Sequence, residues 1–165
     1  MSENRLDQLI DSVGDGTGVT NQARQASDYF VIPHVQEVLT IIRVLIYIED
    51  DAKFAGEKYA GATALTNGIK ITKNNSDGII HDFTPLPITK FAQWALLAGV
   101  DVILTDFTTG NDVCAVRWTL ANAGYPVSLD GTKGEFFKVS VRDSLATIVD
   151  HRMAVQGYRK WRGHD

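Results

Sequence analysis

The chain has 165 residues, of which 44% are hydrophobic and 22% charged, so we expect one domain that buries a core without disulfides. A net charge of -4 provides no broad cationic surface for phosphate groups, which excludes nucleic acid as the expected principal partner. The single cysteine, Cys114, offers neither an intrachain disulfide nor a metal cluster and favours synthesis in a reducing, cytosolic compartment.

Residues 1–16 lack the basic start and the apolar stretch of a signal peptide. No apolar run approaches the roughly 20 residues that a membrane span needs. We therefore expect neither export by a standard signal nor a place in the membrane.

Residues 1–27 differ in composition from the rest and predict an N-terminal attachment arm. Its first part is a short amphipathic helix, and the polar, glycine-rich residues 14–28 follow as a flexible connection. The alternative is an ordinary disordered chain end, because so short a helix is not stable alone in water. If the segment is an arm, its apolar face binds the partner through Leu6, Leu9, Ile10 and Val13.

At Asp28 the hydrophobic period changes to two, which predicts a β-domain over residues 28–158, with a C-terminal tail at 159–165. Residues 38–51 are β-branched and apolar on both faces, as in a central strand that is covered twice. In an antiparallel domain, the second cover could be another subunit. One face of this strand therefore predicts a homo-oligomer interface that contains Ile41, Leu45 and Tyr47.

The remaining patterns are typical of strands that are separated by turns. The letters "NNSD" followed by Gly78 predict a hairpin, and Phe91 and Trp94 begin the apolar face of one short helix that Gly99 ends. Five further strands follow, with no alternation of strands and long helices. These elements predict an all-β fold, an antiparallel β-sandwich that is most simply a jelly roll.

The letters "IVDHRMAVQGY" place Asp150, His151 and Arg152 side by side and raise the possibility of acid–base catalysis. In a strand, however, His151 shares its face with Met153 and Val155, whereas Asp150 and Arg152 point the other way. A catalytic dyad needs both groups within reach of one another or of a shared substrate. We therefore expect a buried, hydrogen-bonded His151 and no catalytic residues.

Other patterns give no metal or cofactor site. The four histidines lack the spacing of a metal centre, and "NNSDG" lacks the glutamate that a calcium loop requires. The acidic letters "IEDD" could bind a cation, but a solvated loop is the stronger interpretation because Lys53 and Lys58 follow. Cys114 alternates with Val116 and Trp118, as a small core residue does.

The segments "RVLIYIEDD", "LTNGIKI", "VRWTLANAGYPVSLDG" and "HRMAVQGY" resemble a group of small β-sandwich virion proteins of tailed bacteriophages. The resemblance covers approximately residues 28–158 and rests on turns and core strands. It implies a non-enzymatic structural component of the virion that is made in the host cytoplasm and contacts other capsid or tail proteins. It implies no catalytic residues and no cofactor.

Two alternatives to the structural role remain open at the level of sequence. The first is a carbohydrate-binding module that stacks sugars on exposed aromatic side chains. The second is a small jelly-roll enzyme, which would have to assemble its site from residues without a recognisable spacing. The aromatic candidates for sugar stacking are Tyr29, Tyr47, Tyr125 and Trp161.

Overall fold

The computed structural model describes residues 4–6, 26–61, 63–97, 100–105, 110–120 and 126–162. Ten strands lie within these ranges, together with two short 3₁₀ helices, Phe91–Leu96 and Gly131–Lys133. The strands are β1 (Asn4–Leu6), β2 (Ser27–Val31), β3 (Glu37–Asp50), β4 (Ile69–Asn75), β5 (Gly78–Asp82), β6 (Val100–Thr105), β7 (Asp112–Thr119), β8 (Val127–Asp130), β9 (Phe136–Val141) and β10 (Asp150–Trp161).

The strands form two antiparallel sheets, which confirms the predicted all-β sandwich. Sheet A has the order β1-β10-β3-β7-β6, and β8 pairs with the first part of β3; sheet B has the order β2-β9-β4-β5. With the β6–β7 hairpin set aside, the orders β1-β10-β3-β8 and β2-β9-β4-β5 are those of a jelly roll. The β6–β7 hairpin is then an insertion that extends sheet A beside the second half of β3.

The core lies between the two sheets and follows the alternation of the strands. On β9, Phe137, Val139 and Val141 are buried and Lys138 is half-buried, and Ser140 on the other face is also buried. The predicted hairpin is confirmed as β4 and β5, and the backbone N–H of Asp77 donates to the Asn75 side chain in its turn. The predicted helix is a six-residue 3₁₀ helix that buries Trp94.

The two ends of the chain differ from the sequence-based boundaries. Residues Asn4–Leu6 are extended and pair with β10 at Gly157–Arg159, so the predicted helix is wrong for these three residues and they belong to sheet A. Leu9, Ile10 and Val13 lie outside the described residues. The tail was predicted to begin at residue 159, but β10 continues to Trp161.

A β-bulge in β3 changes which side chains face the core. The pairing with β10 passes from Gln156↔Arg43 to Gly157↔Ile41, so Ile42 is the additional residue. Before the bulge the odd-numbered residues are buried, and after it the even-numbered residues are buried. Ile41 is only 2% exposed and therefore lies in the core, so its predicted place on the same face as Leu45 and Tyr47 is wrong.

Asp143 holds the chain before β4 with one carboxylate. It accepts hydrogen bonds from the backbone N–H groups of Thr66, Asn67 and Gly68, at 2.9, 3.0 and 2.6 Å. Gly68 has a φ of 76°, and a Cβ at this position would lie 2.8 Å from the carbonyl oxygen of Ile88. The turn therefore needs both the glycine and an acceptor for its backbone donors.

Replacing Asp143 with Ala is expected to lower the free energy of unfolding by about 2 kcal/mol, because three backbone donors lose a charged acceptor. Urea unfolding measures the change. Asp143→Asn keeps a carbonyl acceptor and should lose less. Asp77→Ala, in the exposed β4–β5 turn, is the matched control. Equal effects of Asp143→Ala and Asp77→Ala would contradict this account of the turn.

Candidate functional site

His151 and Tyr59 form a hydrogen-bonded pair inside the sandwich. His151 lies on the inner face of β10, and Tyr59 enters from the loop that follows β3. The Tyr59 hydroxyl and Nε2 of His151 are 2.9 Å apart, and Nδ1 of His151 has no hydrogen-bond partner among the described residues. Asp150 and Arg152 point outwards and bond to each other at 2.7 Å, which confirms the predicted divergence of the two faces.

Burial keeps the groups around this pair uncharged. It lowers the pKa of His151 to about 4 and raises the pKa of Tyr59 well above its ordinary value. The same cause raises the pKa of the Cys114 thiol to about 12, so the thiol is not an activated nucleophile. Tyr59 and His151 are 0% and 1% exposed, so a substrate cannot reach the pair in this conformation. The arrangement is suited to holding the loop on the core.

Sequence reasoning missed Tyr59 because its loop was interpreted as solvated. The sequence signal for an inward turn is the aromatic residue Tyr59 followed by the small residues Ala60 and Gly61 in an otherwise charged segment. Ala60 adopts a φ of 56°, and the Gly61 N–H donates to the Asp50 carboxylate at 3.0 Å. This backbone conformation and this hydrogen bond turn the loop inwards, so that the Tyr59 side chain lies next to His151.

The acidic residues near this loop bind backbone and side-chain donors of the protein itself. Asp50 accepts from the backbone N–H groups of Asp51 and Gly61, and Asp112 accepts from that of Phe54. Burial is the largest cause that raises the pKa of Asp50. In the part of the chain that the structure describes, no group of three or more His, Cys, Asp or Glu residues is arranged to hold a metal ion.

The outer face of sheet A carries an apolar groove of about 300 Å³. Leu45 and Tyr47 project from β3 into this region, and the alanines at positions 115 and 154 on the neighbouring strands leave room beside them. All the residues that line the groove belong to β3, β7 and β10, so the surface of the sheet itself forms it: Leu45, Ile46, Tyr47, Ala115, Val116, Arg152, Met153 and Ala154. Leu45 and Tyr47 thus share the face that the sequence assigned to them, and Ile41 does not.

Charged side chains lie at both ends of this groove. Arg43 donates from Nε to the Thr119 hydroxyl at 3.2 Å and from Nη1 to the Gln156 side chain at 3.1 Å. At the other end, Glu49 accepts from Asn111 at 2.6 Å and from the Tyr47 hydroxyl at 3.0 Å. Arg43 and Glu49 therefore give β3 a positive and a negative end beside the groove, and Arg152, which lines the groove, is paired with Asp150.

Further exposed apolar side chains lie on β5 of sheet B and in the segment that follows it. In β5, Ile79 and Ile80 are 59% and 46% exposed. Beyond β5, Leu86 and Leu96 are 82% and 80% exposed at a pocket of about 220 Å³. Exposed apolar side chains in such numbers favour contact with another protein.

The aromatic candidates for sugar binding do not form one surface. Tyr29 is buried in the core, and Tyr47 is half-buried and bonded to Glu49. Tyr125 lies outside the described residues. Trp161 is half-buried between the His34 ring, 5.7 Å away, and the Arg159 guanidinium, 5.8 Å away. No two of the described candidates are placed together as a stacking platform.

Comparison of the chain with protein-family models, with curated proteins and with solved structures gives no match. Within the described ranges, the structure has no helix with the length and apolar character that crossing a membrane requires.

Proposed function

We propose that this protein is a non-enzymatic structural component of a tailed-phage virion, where it works as an oligomer and contacts other capsid or tail proteins. The observation that carries the proposal is the exposure of apolar surface on both sheets. The groove with Leu45 and Tyr47 lies on sheet A, and exposed Ile79 and Ile80 lie on sheet B. A subunit with two separate contact surfaces is suited to an assembly in which each copy has several neighbours.

Two further observations support this proposal. Of the four segments that resemble phage β-sandwich proteins, three contain parts of β3, β7, β8 and β10 in sheet A, and the fourth, "LTNGIKI", leads into β4 of sheet B. The Tyr59–His151 pair, which has the side chains for acid–base chemistry, is enclosed and stabilises the fold. The proposal therefore assigns the protein a role in assembly.

The test is to purify the virus particles released by cells that carry the gene and to quantify the protein in them by mass spectrometry. We expect a fixed ratio to the major capsid protein that persists after protease treatment and density-gradient purification. Labelling with an antibody then distinguishes capsid from tail. Particles that lack the protein, while the cell lysate contains it, would overturn the proposal.

A truncation tests the predicted attachment arm. A variant that lacks residues 1–18 is added to particles assembled without the protein, beside the full chain. We expect reduced incorporation together with a folded sandwich. Since the deletion also removes β1, circular dichroism and thermal unfolding are measured in parallel. Undiminished incorporation would place the decisive contacts on the sandwich.

A further inference from the structure

The outward-facing side chains of β3 are placed symmetrically on either side of position 46, whose own side chain points into the core. Leu45 and Tyr47 lie one residue to either side of it, and Arg43 and Glu49 lie three residues to either side. At about 3.4 Å per residue, the two charged positions are separated by about 20 Å along the strand. Leu45 and Tyr47 thus form an apolar centre midway between opposite charges, and Arg117 of β7 and Arg152 of β10 lie beside it.

Both charges are held in position by neutral groups. Arg43 donates to the side chains of Thr119 and Gln156, and Glu49 accepts from those of Asn111 and Tyr47. These bonds orient the two side chains and leave their net charges in place. A charge that is already ordered loses less conformational entropy when it meets an opposite charge on another molecule.

We propose that a second copy of this chain docks on this face. The two copies are related by a two-fold axis that lies between the two facing copies of sheet A, runs perpendicular to the strands and passes over position 46 of β3. This operation sets Arg43 of one copy opposite Glu49 of the other, and it does so twice. A two-fold axis parallel to the strands would instead bring Arg43 onto Arg43 and Glu49 onto Glu49. Like charges in contact are costly, so the charge pattern selects the first axis.

The apolar centre fits the same axis. Leu45 of one copy meets Tyr47 of the other, and the small side chains of Ala115 and Ala154 give space for these two larger ones. Faces of two sheets pack about 10 Å apart with their strands nearly aligned. The axis also sets Asp150 opposite Gln156, which can donate to its carboxylate. The axis therefore pairs opposite charges at both ends of β3, fits large side chains against small ones at its centre, and sets Arg117 and Arg152 opposite Ala115 and Ala154.

This inference rests on the proposed function, since it names the partner of one contact surface, but it is tested in solution without particles. Sedimentation of the full chain from about 1 to about 100 µM should show a dimer. Leu45→Asp should shift the chain to monomer, and the matched control Leu86→Asp, in the segment that follows β5, should remain a dimer. A native monomer throughout this range overturns the proposal, as does a Leu45→Asp dimer.

Charge reversal tests the axis. Arg43→Glu and Glu49→Arg should each raise the dimer Kd about tenfold or more, because each change places like charges at two symmetric contacts. The variant with both changes in one chain should return the Kd towards that of the native protein. Circular dichroism identifies variants that do not fold. Failure of the folded double variant to recover would overturn this geometry.

Cross-linking provides a test that does not depend on charge energetics. Because Cys114 is buried, single cysteines can be introduced by Arg43→Cys and Glu49→Cys. A short bis-maleimide should join the two variants when they are mixed and should join neither variant to itself. Self-linking of Arg43→Cys would indicate the parallel axis and overturn the proposal. Particle incorporation without a dimer in solution would leave the proposed function standing and remove this inference.

Discussion

Lowering the pH from 6.5 to 4 is expected to destabilise the protein by about 3 kcal/mol through His151 alone. Burial lowers the pKa of His151 from 6.5 to about 4, so the unfolded chain binds the proton first as the pH falls. The contribution to stability is fully present above pH 6.5 and is lost progressively down to the folded-state pKa. The difference between the two pKa values corresponds to about 3 kcal/mol.

His151→Gln isolates this effect. Urea unfolding of the native protein and of the variant should give free energies whose difference becomes smaller as the pH falls, because the variant lacks the titrating group. Tyr59 and Cys114 titrate far above this range, so they do not contribute. Equal slopes for native protein and His151→Gln would show that His151 is not the buried neutral group described above.

Replacing Gly157 with Ala is expected to lower the free energy of unfolding by about 3 kcal/mol. A Cβ at this position would lie 1.9 Å from the carbonyl oxygen of Thr40 and 2.8 Å from its carbonyl carbon. Both obstacles are backbone atoms of the paired strand, so no side chain can move aside to make room. The cost is strain at the point where β3 bulges at Ile42.

The control is Gly56→Ala, whose new Cβ would meet only the Ala92 methyl group at an ordinary 3.5 Å. Urea unfolding should separate the two variants clearly. Hydrogen exchange should also rise at the amides of residues 40–43 in Gly157→Ala, because that part of the ladder must shift to accommodate the methyl group. If Gly157→Ala is as stable as Gly56→Ala, the backbone approach at the bulge is looser than the structure indicates.

The sequence was sufficient to predict the strands of the body. The turn formers between β4 and β5 and the β-branched run in β3 are local signals, and both elements are confirmed. Alternation also holds in β9 up to Val139, but Ser140 is buried as well. The divergence of His151 from Asp150 was also predictable, because neighbouring residues of any strand point to opposite faces. The buried, inert character of Cys114 followed from its place in an alternating apolar run.

The partner of His151 depended on tertiary contacts. Tyr59 lies 92 positions earlier in the chain, in a loop of charged and small residues whose composition is typical of a solvated surface. The inward turn includes a hydrogen bond from the Gly61 N–H to the carboxylate of Asp50, the last residue of β3. The composition of the loop therefore predicts neither the inward turn at Gly61 nor the hydrogen bond between Tyr59 and His151.

Within residues 28–158 the sequence by itself determined which segments become strands, because period and turn chemistry act over a few neighbouring residues. It did not identify β1, which is a strand through its pairing with β10. Only the tertiary structure decided which face of β3 meets the core at each position. The extra residue at Ile42 is accommodated because Gly157 allows the opposite strand to approach, and this moves Ile41 inwards while Leu45 and Tyr47 remain outside. Since the side-chain period of a strand is two, one inserted residue reverses every later face, and its position is fixed by a partner strand more than 100 residues away.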